Sequence, residues 1–325
     1  MQKKLKDIGE FGLIKRIAEA ERIFDKEVIV GIGDDAAVIK YKEGRYLLLT
    51  TDMLIENIHF DKKATPFQIG YKSLAVNISD IAAMGGIPKY ALVGLGLKKE
   101  TSVKFVDEIY RGIRSLAKKF KVKILGGDTV ASSKMVINIT LSGEVEKKYL
   151  TLRNGAKIGD KIYVTGALGG SILGKHLSFI PRVKEARYLV KNLHPTSMID
   201  ISDGLLSDLK RVCEASKVGA KIYQEKIPLS KGVISLAKKK KEDPYQLALT
   251  GGEDFELLFT LSHHPPLYPL PSREGKAEEG FILPSKVHIT QIGQITKRGI
   301  VLLDEKNKII HLRKIGFDHF KDVGS

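Results

Sequence analysis

The sequence predicts two mixed α/β domains. At 325 residues the chain is too long for one ordinary compact core, since roughly 150 residues per domain is typical. Apolar strand-like runs alternate with helical patterns in both halves. The polar, turn-rich segment KKYLTLRNGAKIGD separates the two series, which is where a domain boundary is expected. We therefore predict an N-terminal domain over residues 1–145 and a C-terminal domain over residues 146–325.

Side-chain periodicity predicts the elements of the N-terminal domain. RYLLLTTD is typical of a strand, and FQIGYKSLAVNISDIAAM of a helix with Ile69, Leu74, Ile78 and Ile81 near one face. Further elements follow in order: a strand at KYALVGLGL, a helix at SVKFVDEIYRGIRSLAKKF, and strands at VKILGGD and MVINITLSGEV.

The C-terminal domain shows a similar alternation. The predicted strands are DKIYVTG, SMIDIS, AKIYQ, YQLALT, FELLFTL and KVHITQIGQI. Helices are predicted across SILGKHL and from Gly204 to Ser216. Near 263–285 the segment HHPPLYPLPSREGKAEEGF is rich in proline, which removes backbone donors, so we expect a disordered insertion there. Its adjacent pair His263 and His264 is better interpreted as solvated than as metal-ligating.

Composition and charge narrow the class of protein. No run of about 18 apolar residues suggests a membrane span, the N-terminus lacks a signal-peptide pattern, and we expect a cytoplasmic protein. Cys213 is the only cysteine, which excludes an intramolecular disulfide. The net charge of +16 leaves nucleic-acid binding open, but the lysines are dispersed and Lys238–Lys241 lacks interleaved aromatics. A solvated basic surface is the better interpretation.

Aspartates recur where predicted strands end beside glycines. Asp34 and Asp35 follow Gly33, and Thr50, Thr51 and Asp52 end the strand RYLLLTTD. Asp80 ends a helical pattern, and Asp128 follows a glycine pair after the strand VKIL. Each alone is more often a turn former or a helix cap. Their repetition favours a magnesium site, because Mg²⁺ prefers hard oxygen ligands, and hence an ATP-dependent phosphotransferase.

The C-terminal half repeats this design. In MIDISDG, Asp200 and Ser202 share one face of a strand. Asp203 precedes a helix, and capping of that helix is its plainer interpretation. In GGEDFELLF, Glu253 and Asp254 follow a glycine pair. The segment GGSILGKH, beginning at Gly169, approximates a phosphate-binding P-loop, but His176 replaces the serine or threonine that would ligate magnesium. A glycine-rich helix start is the better interpretation of that segment.

Taken in order, several motifs resemble those of the thiamine-monophosphate kinase family, within the wider group of ATP-binding aminoimidazole ribonucleotide synthetases. The resemblance covers nearly the whole chain outside the proline-rich insertion. The motifs are GEFGLIKRI, GIGDDAAVI, TTDMLIENIHF, YKSLAVNISDIAAMGG, LGGDTV, LRNGAKIGDKIYVTG, IDISDGLLSDL, GGEDFELLFT and GFDHF.

The resemblance implies transfer of the ATP γ-phosphate to thiamine monophosphate, giving thiamine diphosphate, with several magnesium ions and a homodimer. It implies three sets of site residues. The magnesium ligands would be Asp35, Thr50, Thr51, Asp52, Asp80, Asp128, Asp200 and Asp203. The nucleotide would contact Gly127, Asp128, Arg153 and Ser202, and thiamine monophosphate would contact His59, Glu253 and Phe317.

These roles have physical support, and each has a plainer alternative. Arg153 could pair with phosphate oxygens, or be an exposed linker arginine. His59 could donate to a phosphate, or be a satisfied structural histidine. Glu253 could accept from the aminopyrimidine amine, or form a cap or turn. Phe317 could stack on the thiamine ring, or pack in the C-terminal region.

Other members of the wider group remain alternatives. A selenophosphate synthetase would be expected to carry a cysteine or selenocysteine near the N-terminus, and a hydrogenase-maturation member a C-terminal cysteine. Neither pattern is present, since Cys213 is internal. A purine-pathway synthetase is harder to exclude, but EFGLI, NIHF and GFDHF favour the kinase. A basic nucleic-acid-binding protein would leave the aspartates unexplained, because an acidic cleft repels phosphodiesters.

Overall fold

The computed structural model describes residues 3–21, 25–262 and 280–310. Two sheets organise these residues, each with helices packed against it, as the sequence predicts. The helices are α1 (Leu5–Ala20), α2 (Pro66–Ala83), α3 (Val103–Phe120), α4 (Val183–Asn192), α5 (Leu205–Ser216), α6 (Lys231–Lys240) and α7 (Pro244–Thr250). No helix in these ranges is long and apolar enough to cross a membrane.

The first sheet has six strands in the order β1-β2-β3-β6-β4-β5, antiparallel except for the parallel pair β4 and β5. Its strands are β1 (Val28–Val30), β2 (Ala37–Lys42), β3 (Arg45–Ile55), β4 (Ile87–Leu97), β5 (Lys123–Ala131) and β6 (Val136–Glu146). One face packs on α2, and the other exposes Met53, Tyr90 and Leu92. Unlike the first face, this open face has no layer of helix over it among the described residues.

The second sheet has the order β14-β13-β9-β12-β7-β10-β8, with β11 paired to β12. Its strands are β7 (Lys161–Thr165), β8 (Ser197–Asp200), β9 (Gly219–Tyr223), β10 (Leu257–Leu261), β11 (Gly280–Ile282), β12 (His288–Thr296), β13 (Ile300–Leu303) and β14 (Ile309–Ile310). The predicted boundary at 145/146 falls at the last residue of β6, where the first sheet ends along the chain, and it stays a prediction.

Helix α2 lies at the centre of the molecule. It begins with a capping box, in which Thr65 accepts from the Gln68 amide and Gln68 accepts from the Thr65 amide. It crosses α3 closely, because Gly70 faces the Ile109 carbonyl and Gly112 faces the Phe67 carbonyl with no room for a Cβ. One hydrophobic core runs from this helix into the second half, where it includes Met198.

Two predictions about elements are wrong, and a third falls mostly outside the described residues. YQLALT forms α7 rather than a strand, because Asp243 caps the Tyr245 amide and Pro244 occupies the first helical position. SILGKHL forms two short 3₁₀ turns, Ser171–Leu173 and Lys175–Leu177, separated by Gly174 at a φ of +127°. Of the insertion predicted near 263–285, residues 263–279 lie outside the described ranges, but Gly280–Ile282 form β11 and are ordered by pairing with β12.

Candidate active site

Three carboxylates converge between the two sheets. Asp35 lies just before β2, Asp80 in the last turn of α2, and Asp200 at the end of β8. One oxygen of each lies within 4.8 Å of the others. Such close carboxylates repel one another unless a proton or a cation intervenes. The three aspartates, which come from separate parts of the sequence, therefore form a candidate cation site.

Neighbouring hydroxyls fix two of these carboxylates. Thr50 Oγ1 on β3 donates to Asp80 Oδ2 over 2.6 Å, and Ser79 Oγ donates to Asp200 Oδ2 over 2.6 Å. Asp52 lies two residues beyond Thr50, on the same face of β3, and its carboxyl group is close to that of Asp80. The structure thus brings together five of the predicted magnesium ligands: Asp35, Thr50, Asp52, Asp80 and Asp200.

These five residues are called the acidic cluster, and burial dominates its electrostatics. It raises the pKa of Asp52 to about 6 and the pKa of Asp200 to about 7, with Asp35 adding repulsion in both cases. It also raises the pKa of Asp80 well above its ordinary value, with Asp52 and Asp200 as further causes. The pKa of Asp34 is raised to about 7 by burial and by Asp35. The cluster therefore favours proton or cation binding.

Arg153 is the cation that meets the acidic cluster from the second half of the chain. Its Nη2 lies 2.5 Å from Asp35 Oδ1, and its backbone amide donates to Asp34 Oδ2 over 3.0 Å. Burial disfavours the charged guanidinium, but Asp35 and Asp34 raise the pKa of Arg153 above its ordinary value. Only 16% of the side chain is exposed, so the alternative of an exposed linker arginine is wrong.

The acidic cluster meets the chemical requirements of a magnesium site. Its donors are carboxylate and hydroxyl oxygens, the hard ligands that Mg²⁺ prefers. Within the described residues, the buried Oδ2 of Asp35 has no hydrogen-bond partner. Buried polar atoms are normally satisfied, so an oxygen of this kind in a cluster of carboxylates fits the role of a cation ligand.

Thr51 and Asp128 lie apart from the acidic cluster. Thr51 alternates with Thr50 and Asp52, and its hydroxyl bonds to Asn138 and Thr140 on the open face of the first sheet. Strand register gives Asp128 the same face, since Gly94 pairs with both Asn138 and Asp128. Gly127 and Asp128 are exposed on β5, three strands from β3, which is roughly 14 Å at the usual spacing.

Asp203 and Ser202 are held at the entrance to α5. Arg211 pairs with Asp203 and lies 3.0 Å from Asp208, while the Asp203 amide donates to Asp208. Asp203 makes no capping bond, because Gly204 is the N-cap residue of α5. Asp203 is close enough to raise the pKa of Asp52, so it lies beside the acidic cluster. The carbonyl of Ser202 accepts from the Glu253 amide over 2.6 Å.

Two of the residues implied for thiamine monophosphate meet at a buried lysine. Lys72 Nζ on α2 lies 2.5 Å from Glu253 Oε1 and 2.6 Å from the His59 carbonyl oxygen. His59 Nδ1 accepts from the Ile55 amide. On the other side, His176 Nε2 lies 3.9 Å from Glu253 Oε2. Phe317, implied as the third such residue, lies outside the described residues.

In the segment that resembles a P-loop, backbone groups are hydrogen-bonded to side chains of the protein. The Gly169 amide donates to Asp254 Oδ2 over 2.7 Å, and the Gly169 carbonyl accepts from Ser230. Gly170, at a φ of +73°, lies so close to the Val233 amide that a Cβ would not fit. The following residues are 3₁₀ turns, so no α-helix N-terminus is present there to bind a phosphate.

Sequence reasoning missed several residues that shape the site. Lys72 was hidden within an apolar helical pattern, where a lysine is ordinarily expected on the exposed face. Ser79 immediately precedes Asp80 and shares the helical pattern, so its contact with a distant strand left no local signal. Arg211 sits at helical spacing from Asp208, which could have predicted that ion pair but not the one with Asp203.

Comparison with known proteins agrees with this geometry. Residues 33–145 match the family model described as AIR synthase related protein, N-terminal domain. The thiamine-monophosphate kinase of Bacillus subtilis (strain 168) is 37% identical over 346 aligned positions, covering 97% of this chain and 100% of that protein. The thiamine-monophosphate kinase of Escherichia coli (strain K12) is 32% identical, covering 96% of this chain and 98% of that protein.

Solved structures agree as well. AaThiL complexed with AMPPCP and TMP superposes with a TM-score of 0.82 at 31% identity, covering 98% of this chain and 99% of that one. The crystal structure of thiamine monophosphate kinase from Aquifex aeolicus has a TM-score of 0.77 at 31% identity, covering 95% and 100%. A HypE–HypF complex, at 19% identity and a TM-score of 0.69, shares the fold.

The two mixed sheets and the acidic cluster between them define an α/β protein of the AIR synthase related class. Within that class, the near full-length similarity at 37% identity decides the assignment. The chain belongs to the thiamine-monophosphate kinase family.

Proposed function

We propose that this protein transfers the γ-phosphate of ATP to thiamine monophosphate, forming thiamine diphosphate and ADP. The observation that carries the proposal is the convergence of Asp35, Asp80 and Asp200, because phosphoryl transfer needs divalent cations held beside the phosphates. Family membership names the acceptor. The HypE-like relatives share only the fold, and they give no reason to prefer another activity.

Magnesium would be held by the acidic cluster, which consists of Asp35, Thr50, Asp52, Asp80 and Asp200, with Asp203 beside it. When bound there, Mg²⁺ neutralises the charge of the triphosphate and stabilises the charge that develops during transfer. The protein's part is to hold the oxygens in place through Ser79 and Thr50.

Arg153 supports a nucleotide site next to the acidic cluster. Its guanidinium can exchange Asp35 for a phosphate oxygen once cations neutralise the carboxylates, because bidentate arginine suits phosphate geometry. Ser202 adjoins the cluster through the chain between Asp200 and Asp203. Gly127 and Asp128 are also proposed to contact the nucleotide, although they lie on the far edge of the sheet in a single chain.

The acceptor would bind near His59 and Glu253, which Lys72 joins. Glu253 is acceptor-only when ionised, so it suits the amine of the aminopyrimidine ring. His59 follows β3, the strand that carries Asp52, so a short stretch of chain joins this acceptor region to the acidic cluster. Phe317 is proposed to pack on the thiamine ring.

We propose direct in-line transfer. An ionised oxygen of thiamine monophosphate forms a bond to the γ-phosphorus while the bond to the β-phosphate oxygen of ATP breaks, and ADP leaves. The attacking oxygen carries no proton at neutral pH, so no general base is required. Single turnover with γ-labelled ATP should label thiamine diphosphate and not the protein; a labelled phosphoprotein would contradict this route.

The activity is tested by incubating the protein with ATP, magnesium and thiamine monophosphate and by measuring thiamine diphosphate. Wild type should form it, and removing magnesium with EDTA should stop its formation. An Asp52→Asn variant should lose at least about 100-fold in kcat, since electrostatic stabilisation is commonly a large part of such catalysis. ATP turnover on a different acceptor, with none on thiamine monophosphate, would overturn the substrate assignment.

We also propose a homodimer that uses the open face of the first sheet. Met53, Tyr90 and Leu92 share this face by strand register and are each about half exposed, at 52%, 44% and 50%. An apolar patch of adjacent strands commonly marks a protein interface. If Asp128 serves the same ions as Asp52, a second copy has to supply it, because the two lie three strands apart on opposite faces.

Mixing two inactive variants tests this arrangement. Asp52→Asn and Asp128→Asn should each be inactive alone, and subunit exchange between them should restore part of the wild-type activity. Light scattering should give twice the chain mass for wild type and a lower mass for Leu92→Glu. A monomeric, fully active wild type would contradict the dimer.

A cytoplasmic location is also proposed. Cell fractionation tests it, and recovery of the protein in a membrane or secreted fraction would contradict it.

A further inference from the structure

We infer that Lys72 is a positioning residue for the phosphate acceptor: its buried ammonium aligns the Glu253 carboxylate with the His59 loop. The inference deepens the proposed function and rests on it, because Glu253 and His59 are the proposed acceptor contacts. It assigns a task to a residue of α2 that binds neither the cations nor the nucleotide in the proposal above.

The geometry of Lys72 is that of a bridge between the two halves of the chain. The ammonium donates to Glu253 Oε1 over 2.5 Å and to the His59 carbonyl over 2.6 Å. Residues 72 and 253 are 181 positions apart in sequence. The side chain of Lys72 is 1% exposed, whereas that of Glu253 is 26% exposed. A ligand can therefore reach the Glu253 carboxylate, while the buried ammonium of Lys72 sets the orientation of that carboxylate.

The backbone of Glu253 is fixed independently of Lys72. Glu253 has a φ of +56° and follows Gly252 at a φ of +64°, and its amide donates to the Ser202 carbonyl over 2.6 Å. A left-handed conformation at a non-glycine residue persists where the surroundings determine it. The remaining freedom of Glu253 lies in its side-chain torsions, which the bond to Lys72 restricts.

Stability alone does not account for a lysine at this position. Transferring an ammonium out of water is costly, and well-packed apolar residues of similar volume commonly replace buried ion pairs without loss of stability. Burial lowers the pKa of Lys72, and Glu253 opposes that effect. The position of Glu253 is thus the property that specifically requires a charged donor there.

The second oxygen of Glu253 is left for another partner. Glu253 Oε2 lies 3.9 Å from His176 Nε2, beyond hydrogen-bond distance, and burial lowers the pKa of His176, which favours its neutral form. With Oε1 on Lys72, Oε2 can accept from an amine of the ligand. Lys72 therefore orients the carboxylate so that one oxygen faces the protein and the other faces the acceptor.

Steady-state kinetics and calorimetric binding on Lys72→Met test the inference. The KM and Kd for thiamine monophosphate should rise at least tenfold, with kcat changed less than threefold and the Kd for the ATP analogue AMPPCP within twofold of wild type. Lys175→Met is the matched control. It also removes a lysine that pairs with a glutamate, since Lys175 Nζ lies 2.9 Å from Glu256 Oε1, but it leaves the bond between Lys72 and Glu253 in place. It should leave the Kd for thiamine monophosphate unchanged.

A double-mutant cycle separates positioning from a general effect on folding. In a Glu253→Gln background, Lys72→Met should weaken acceptor binding by less than a further twofold, because the group it orients is already altered. Independent, multiplicative losses would overturn the inference. Lys72→Gln, which keeps a donor without the charge, takes the place of Lys72→Met in every comparison if the latter does not fold.

Wild-type binding separates this inference from the proposed function. If wild type neither binds nor phosphorylates thiamine monophosphate, the proposed function fails and the role of Lys72 fails with it. If wild type does both and Lys72→Met binds the acceptor equally well, only the role of Lys72 is overturned.

Discussion

Ser79 Oγ lies 2.6 Å from Asp200 Oδ2, which joins α2 of the first half to β8 of the second across 121 positions of sequence. The hydroxyl donates to a carboxylate that burial would otherwise favour as neutral. Both residues are nearly inaccessible, at 1% and 2% exposed. The bond therefore fixes one side of the acidic cluster.

Ser79→Ala should destabilise the protein by about 1–3 kcal/mol at pH 8, because a buried carboxylate loses its donor. The free energy of unfolding in urea measures this. Ser73→Ala is the matched control, since Ser73 is equally buried but donates to the Gly70 carbonyl within the same helix. Its cost should be under about 1 kcal/mol. Equal costs for the two variants would contradict the special position of Ser79.

Asp80→Asn should remove magnesium binding without unfolding the protein. The pKa of Asp80 is raised well above its ordinary value, so its neutral form is favoured in the absence of metal, and Thr50 can donate to an amide oxygen as well. We expect the free energy of unfolding in EDTA to change by less than about 1 kcal/mol. Magnesium should raise the Tm of wild type and not that of the variant. An equal shift in both would show that Asp80 is not a ligand.

The raised pKa of Asp254 predicts that the stability of the protein depends on pH. Burial raises its pKa from 3.8 to about 7. Its contribution to stability is fully present below the unfolded-state pKa and is lost as the pH rises through about 7. Relative to Asp254→Asn, the wild-type free energy of unfolding should fall by roughly 2 kcal/mol between pH 5 and pH 7.5. Parallel pH profiles for the two proteins would contradict the raised pKa.

Arg182→Met should be strongly destabilising. Arg182 Nε and Nη2 lie 2.6 Å and 2.7 Å from the carboxylate of Glu256, whose side chain is 1% exposed. Removing one partner of a buried pair costs about 3–5 kcal/mol. Lys210→Met, which removes an exposed pair with Glu214 at 3.7 Å, should cost less than about 0.5 kcal/mol. Urea denaturation compares the two, and similar losses would mean that burial of Glu256 is unimportant.

Much of the fold could be predicted because its strands and long helices have clear periodicity. The predicted strand RYLLLTTD lies within β3, and the predicted helix across Ile69–Ile81 lies within α2. The errors arose where one local sequence feature outweighed another. YQLALT has the apolar character typical of a strand, but the N-cap residue Asp243 and the following Pro244 start a helix there. In SILGKHL the predicted helix is interrupted by Gly174, and two 3₁₀ turns form instead.

The candidate site was less predictable than the fold. Residue type and placement beside glycines or at the ends of predicted elements indicated Asp35, Asp80 and Asp200, which the structure brings together. Periodicity cannot give distances between elements, so the separation of Asp128 from Asp52 by three strands was not foreseeable. The bridge from Lys72 to Glu253 was equally hidden, because it depends on how two sheets pack.

Helix α2 also fixes a distance within the proposed site. Lys72 and Asp80 lie on the same helix, eight residues apart. At a rise of about 1.5 Å per residue, their separation along the axis is roughly 12 Å. The distance between the proposed acceptor contacts and the acidic cluster is therefore set by the backbone of one buried helix. Selection among acceptors by length would then depend on helical rise, which side-chain changes in the pocket leave unaltered.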